Sequence, residues 1–164
     1  MTSLWLLLLQ ACGQTTDKAY TLMLKGLYQN SVPVITSAQL KAILATGQQQ
    51  PLLLDTRQPA EYKVSHLQGA RFANFDTFTV EQVKDVPKHQ PIVVYCSVGY
   101  RSEKIGEKLK QAGYTNVQNL YGGIFEWVNR GNPVYNTEGK TGKVHAYSKT
   151  WGVWLLKGEK VYDQ

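Results

Sequence analysis

Short apolar runs and amphipathic stretches take turns along most of this chain. Leu52-Leu53-Leu54-Asp55 and Pro91-Ile92-Val93-Val94-Tyr95-Cys96 are continuous apolar runs. Buried parallel strands look like this, because both of their faces are covered. Val32-Pro33-Val34-Ile35 and Val117-Gln118-Asn119-Leu120 are shorter strand candidates, and Gly69-Ala70-Arg71-Phe72-Ala73-Asn74 is a weaker one. Thr36-Ser37-Ala38-Gln39 has capping-box spacing and precedes Leu40, Ile43 and Leu44 at helical intervals, with Gly47 as the stop. Pro59-Ala60-Glu61-Tyr62 reads as the first turn of a short helix with proline near its start. Residues 79–83 form another short helix candidate, closed before Pro87. Residues 101–112 predict a helix with Ile105, Leu109 and Ala112 on its apolar face, ended by Gly113. Gly122-Gly123 then leads into Ile124-Phe125-Glu126-Trp127-Val128. Alternation of this kind from residue 32 to residue 130 predicts an α/β domain with a mostly parallel sheet and helices on both faces. Ligands of such sheets sit outside the carboxyl ends of the strands. Cys96, the last residue of the strongest strand, is therefore the first place to look for chemistry.

Composition narrows the class. The chain has 164 residues, 43% of them hydrophobic and 18% charged, with a net charge of +6 and two cysteines, Cys12 and Cys96. This is enough for one domain with its own core, and too apolar for a disordered chain. Two cysteines exclude a disulfide framework and a four-cysteine zinc site. Half of the positive excess lies in the last 26 residues, where five lysines stand against Glu159 and Asp163. The lysines do not cluster and no nucleic-acid motif accompanies them, so the face is read as solvated and no nucleic-acid partner is expected. Val144-His145-Ala146-Tyr147 and Trp151-Gly152-Val153-Trp154-Leu155-Leu156 are aromatic and apolar. The tail is therefore expected to pack on the domain, with an added hairpin around Gly158 as one form. His145 is read as a packing or surface residue.

The N-terminus carries a separate signal. The apolar hexamer Leu4-Trp5-Leu6-Leu7-Leu8-Leu9 runs into Leu9-Gln10-Ala11-Cys12, which resembles a bacterial lipobox, although the segment is short and lacks a basic start. On this reading residues 1–11 are a signal, Cys12 is the lipid attachment point and residues 12–31 are a tether. Acyl chains would then hold the protein on a membrane. The expected location is the bacterial cell envelope, facing the periplasm, with outer-membrane sorting suggested by Gly13. The alternative is a cytoplasmic protein with an apolar N-terminal helix.

The loop at Cys96 reads Cys96-Ser97-Val98-Gly99-Tyr100-Arg101-Ser102. A cysteine acts as a nucleophile only as thiolate. A tight loop before a helix N-terminus turns backbone N–H groups toward the sulfur, and those donors together with the Arg101 guanidinium favour the anion. Gly99 permits the backbone conformation such a turn needs. A buried strand-end cysteine with no chemistry is the bland alternative; Gly99 and Arg101 behind Cys96 weigh against it.

Cys-x-x-Gly-x-Arg-Ser between an Ile-Val-Val-Tyr strand and a helix resembles the active-site loop of rhodanese-like sulfurtransferases. Leu53-Leu54-Asp55-Thr56-Arg57 with Glu61-Tyr62, His66-Leu67-Gln68-Gly69-Ala70, and Asn119-Leu120-Tyr121-Gly122-Gly123 with Trp127 and Gly131-Asn132-Pro133-Val134 resemble further blocks of that family in order and spacing. Thr56 stands where valine is frequent and Ser65 where glycine is usual. The resemblance covers residues 32–135 and implies a single three-layer α/β/α domain on a five-stranded parallel sheet of order 3-2-4-5-1. Residues 136–164 are left as a basic, aromatic extension.

The resemblance also implies a mechanism. Cys96 takes a sulfane sulfur from a donor such as thiosulfate, becomes a persulfide, and passes the sulfur to cyanide or to a thiol, borne by a protein or a small molecule. No metal or cofactor is called for. Cys96 and Arg101 would be catalytic, and Ser97, Val98, Gly99, Tyr100, Ser102 and Arg57 would bind substrate. Asp55, Glu61 and His66 are expected to be structural, and Trp127 to lie in the core. Cys96 to Arg101 spans six residues, whereas phosphatases and arsenate reductases of this fold use a seven-residue loop suited to a tetrahedral oxyanion. The main alternative is a rhodanese-like binding or regulatory module without turnover. Such modules usually lack the cysteine.

Overall fold

The computed structural model describes residues 17–163. The expected signal and Cys12 lie outside the described residues. Five parallel strands form the central sheet: β1 (Val34–Ile35), β2 (Leu52–Asp55), β3 (Arg71–Phe72), β4 (Ile92–Tyr95) and β5 (Val117–Leu120). Their spatial order is β1-β5-β4-β2-β3, the expected order read from the other edge. Leu53 pairs with Val93 and Asp55 with Tyr95 across the centre. Alternation along the strands divides the core. Leu53, Val93 and Tyr95 point to one face, and Leu54, Ile92 and Val94 to the other. The apolar run of β4 is buried at every position because helices cover both faces.

The helices begin and end where their capping residues dictate. In α2 (Ser37–Thr46) the Thr36 side chain accepts from the Gln39 amide while the Gln39 side chain accepts from the Thr36 amide, and Gly47 closes the helix in the left-handed conformation. α3 (Pro59–Val64) starts with proline in its first turn. α4 (Tyr100–Gln111) lays Ile105 and Leu109 against the second face of the sheet. α5 (Gly123–Asn129) follows β5, and a 3-10 turn occupies Val80–Val83. Among the described residues, no helix is long and apolar enough to cross a membrane.

Two expectations need correction. Residues 17–27, expected within a tether, form a helix, α1. Tyr20 and Leu24 on α1, and Tyr28 just beyond it, are buried in the same cluster as Leu53, Tyr95 and Phe125. The three recur every four residues, as a packed helical stripe does. The second correction concerns the C-terminal segment. The hairpin pairs β6 (Val134–Asn136) with β7 (Gly139–Thr141), and no hairpin forms around Gly158. Instead β8 (Lys143–His145) and β9 (Glu159–Val161) pair in parallel, with α6 (Lys149–Gly152) between them. Val144, Ala146 and Leu155 are fully buried in the main core. The Tyr20 and Trp154 rings stack at 5.4 Å, so the two ends of the described chain meet.

If α1 is integral, Leu24→Ala should cost about 2–5 kcal/mol in urea unfolding, the usual loss for a fully buried leucine. A change under about 0.5 kcal/mol, the surface level, would mean that α1 is dispensable.

Candidate active site

The site is the turn from β4 into α4. Cys96 is 1% exposed, and its Sγ accepts a hydrogen bond from the Gly99 amide at 3.1 Å. Each carbonyl of the turn is held by a donor from elsewhere. The Cys96 and Ser97 carbonyls accept from the amides of Ile124 and Phe125, at 2.9 and 3.1 Å. The Val98 carbonyl accepts from the Tyr28 hydroxyl at 2.6 Å, and that of Gly99 from Asn119 Nδ2 at 2.9 Å. With its carbonyls drawn outward, the turn can direct N–H toward the sulfur. That concavity, at the positive end of α4, suits an anionic sulfur.

Two glycines allow the approach. Gly99 has φ of +108°, and a side chain there would run into the Tyr28 hydroxyl. Gly123, at φ of +57°, lets α5 sit directly on the Cys96 and Ser97 carbonyls, where a Cβ would collide with both. Tyr28 also accepts from the Gly122 amide at 2.9 Å, and Tyr20 donates to the Gly122 carbonyl at 2.9 Å. Burial raises the Tyr28 ionisation far above that of an ordinary phenol, so its hydroxyl remains a donor. α1 and Tyr28 just beyond it thus hold both the turn and the start of α5.

Arg101 makes a fork–fork pair with Glu61, at 2.8 and 2.9 Å, and its Nη2 donates to Ser97 Oγ at 3.0 Å. Ser97 Oγ in turn donates to Glu61 Oε1 at 2.8 Å. Burial would push the Glu61 carboxyl up. The hydrogen bonds and charge of Arg101, with help from Arg57 and the Gln58 amide, overcome this and hold it at about 2. Glu61 is therefore an ionised clamp between α3, α4 and the turn.

Not every expected residue meets the site. Ser97, Val98, Tyr100 and Arg101 line a pocket of about 370 Å³ over Cys96. Arg57, expected to bind substrate, is fully buried; it pairs with Asp55 at 2.6 Å and donates to the Ser65 carbonyl. Ser102 is also fully buried and donates to Asn119 Oδ1 at 2.7 Å. Both support the framework and do not touch the pocket. Residues the motifs did not single out complete the site: Tyr28, Asn119 as a hydrogen-bonding group, and Phe75, Tyr147 and Trp151 on the pocket walls. A polar Asn119 in an otherwise buried strand was the one visible signal among them. Among the described residues no three His, Cys, Asp or Glu side chains converge as metal ligands would.

A thiol at the carboxyl end of the central parallel strand, in a turn that opens a helix, marks a cysteine-centred α/β protein. The chain belongs to the rhodanese-like family: the model for the rhodanese-like domain matches residues 36–130. A protein named sulfurtransferase from Allochromatium vinosum is 35% identical over 88 residues, 54% of this chain and 81% of that one. The probable adenylyltransferase/sulfurtransferase MoeZ of Mycobacterium tuberculosis is 30% identical over 125 residues, which span 76% of this chain but 30% of that protein. A crystal structure of a Bacillus halodurans protein superposes with a TM-score of 0.60 at 25% identity, covering 75% of this chain and 88% of that one. The rhodanese-like domain of an Anabaena protein gives 0.58 at 26% identity, covering 63% and 79%. Tyr28, Tyr147 and Trp151 lie outside the matched residues 36–130.

Tyr28→Phe removes the group that bonds the Val98 carbonyl and the Gly122 amide. It should cost about 1–3 kcal/mol of stability and slow reaction of Cys96 with thiol reagents; an unchanged rate would count against its hold on the turn. Acid should act through Glu61. Its carboxyl lies lower in the folded chain than its usual 4.5, so its contribution is full above pH 4.5 and is lost as pH falls toward about 2. Urea midpoints should drop over that window, by up to roughly 3 kcal/mol of stability, and the drop should shrink in Glu61→Gln.

Proposed function

We propose that this protein is a sulfurtransferase that carries sulfur as a Cys96 persulfide. The observation that supports it most is the Cys96 thiol at a pocket floor, with the Gly99 amide on its sulfur and the carbonyls of the turn bound elsewhere. The thiolate attacks the outer sulfur of a sulfane donor. The S–S bond of the donor breaks, and its electron pair leaves on sulfite when the donor is thiosulfate, or on a thiolate when it is a persulfide. An acceptor thiolate then attacks the outer sulfur of the Cys96 persulfide, and Cys96 departs as thiolate. Cyanide in the acceptor role gives thiocyanate. Backbone N–H groups hold the sulfur anion as an oxyanion hole holds oxygen. Arg101 orients the turn through Ser97 and Glu61.

Retention of the thiol and its amide donor favours turnover over a silent binding module. Attachment of lipid at Cys12, and with it an envelope location, belongs to the same proposal and rests on Leu9-Gln10-Ala11-Cys12 alone. Intact mass of membrane-extracted protein reads both the lipid and the persulfide. Incubation with a sulfane donor should add one sulfur atom to the protein, and Cys96→Ser should abolish both that gain and thiocyanate production. Equal thiocyanate from protein and variant, without the added sulfur, would refute the enzyme reading.

A further inference from the structure

The pocket above Cys96 is built for something other than a small dianion. Among the described residues that line it, Arg101 is the sole cation, and its charge is matched by Glu61. The guanidinium also lies 5.0 Å from the Tyr147 ring centroid, under the ring face. The lining carries one further charge, the carboxylate of Asp76, which accepts from Gln58 Nε2 at 2.6 Å. Asp76 is exposed at the rim, so the side chains offer a dianion no cation that is not already paired, and only the backbone N–H groups of the turn remain to receive its charge. Gln58, Ser97 and Cys96 add neutral polar groups, and the other six lining residues are apolar or aromatic: Leu27, Phe75, Val98, Tyr100, Tyr147 and Trp151. At about 370 Å³ the space falls within the range of organic-ligand pockets.

The aromatic wall is braced. Tyr147 sits in the left-handed region with φ of +64°, uncommon for a residue other than glycine, asparagine or aspartate. Its amide donates to His145 Nδ1 at 3.1 Å, and His145 Nε2 lies 3.0 Å from Asp163 Oδ1. His145 and the last described residue thus hold the turn that places the Tyr147 ring over Arg101. Trp151 follows on α6, packed against the main core.

We propose that the pocket takes an organic persulfide, R–S–SH, whose carrier R is apolar or aromatic, with Tyr147 and Trp151 as specificity-determining residues. This rests on the Cys96 persulfide reading above. The Cys96 thiolate attacks the outer sulfur, the S–S bond breaks, and RS⁻ leaves with the bonding pair while the transferred sulfur keeps its proton. R lies against the aromatic wall and adds binding that thiosulfate cannot make.

The test loads the full chain anaerobically with benzyl persulfide, methyl persulfide or thiosulfate and follows the added sulfur by intact mass. Each kcat/KM is divided by the rate of the same donor with N-acetylcysteine, which removes intrinsic reactivity. Benzyl persulfide should exceed both other donors by about tenfold or more, as one aromatic contact plus burial provides. Tyr147→Asn keeps a residue that tolerates the left-handed backbone but removes the ring. It should bring the benzyl-to-methyl ratio down by at least about threefold, mainly through KM, and Trp151→Leu should do the same. A normalised ratio near one in the unaltered protein, a preference for thiosulfate, or a ratio unmoved by both substitutions would overturn the inference. Failure of every donor to load Cys96 would instead remove the sulfurtransferase reading itself.

Discussion

A turn that aims a backbone N–H at its own sulfur, as Gly99 does at Cys96, must find partners elsewhere for the carbonyls of its residues. This constraint organises the molecule around Cys96. The carbonyls of Cys96, Ser97, Val98 and Gly99 go to the first turn of α5, to Tyr28 and to Asn119. An unpaired buried carbonyl costs about 1–3 kcal/mol, so four of them could defeat the turn. The Gly122-Gly123 pair, the polar Asn119 inside β5 and the burial of α1 all answer that single requirement. The placement of the thiol and the stability of the fold therefore share the same hydrogen bonds.

The second constraint is charge. Arg101 sits close enough to the turn to lend it positive charge, yet Glu61 is paired with it in a buried fork–fork geometry. Removing one partner would strand the other, the strongly destabilising case for buried ions. The arrangement works as a brace: α3, α4 and Ser97 Oγ are locked together, and little net charge remains to attract a free anion. On the proposed reading, stabilisation of an anionic sulfur then falls to the backbone dipoles, which cost no reorganisation when the sulfur changes partner.

What could be read from the sequence was local. β2 and β4 announce themselves as apolar runs, β5 as a shorter strand candidate, α2 through Thr36 and Gln39, and the turn through the spacing of Cys96, Gly99 and Arg101. Each of these signals lies within a dozen residues of its own element. What could not be read was long-range. Tyr28 and Val98 are brought together by the whole sheet, and nothing near either residue advertises the contact. α1 was mistaken for a tether because Tyr20, Leu24 and Tyr28 share their segment with Leu22, which is 72% exposed and blurs the stripe. The family resemblance places Arg57 among the substrate-binding residues. Its partner Asp55 instead draws it entirely into the core. Tyr147 and Trp151 belong to a segment whose aromatic and apolar residues predict packing on the domain, but the parallel β8–β9 pairing that achieves it has no short-range turn signature.

Tyr28, Tyr147 and Trp151 reach the site from segments outside the residues that the family model matches. Residues 36–130 supply the thiol, the turn and the clamp. Leu27 and Tyr28 enter from one flank, Tyr147 and Trp151 from the other, and the flanks are joined by the Tyr20–Trp154 stack. Because that stack lies in the same core cluster as Tyr28, Trp127 and Leu155, the shape of the pocket wall and the packing of the domain are not independent quantities. Close-packed interiors transmit strain, so a change that loosens either flank reaches both the carbonyl of Val98 and the ring above Arg101. Residues 36–130 and the two flanks that complete the pocket are thus held in register by one core.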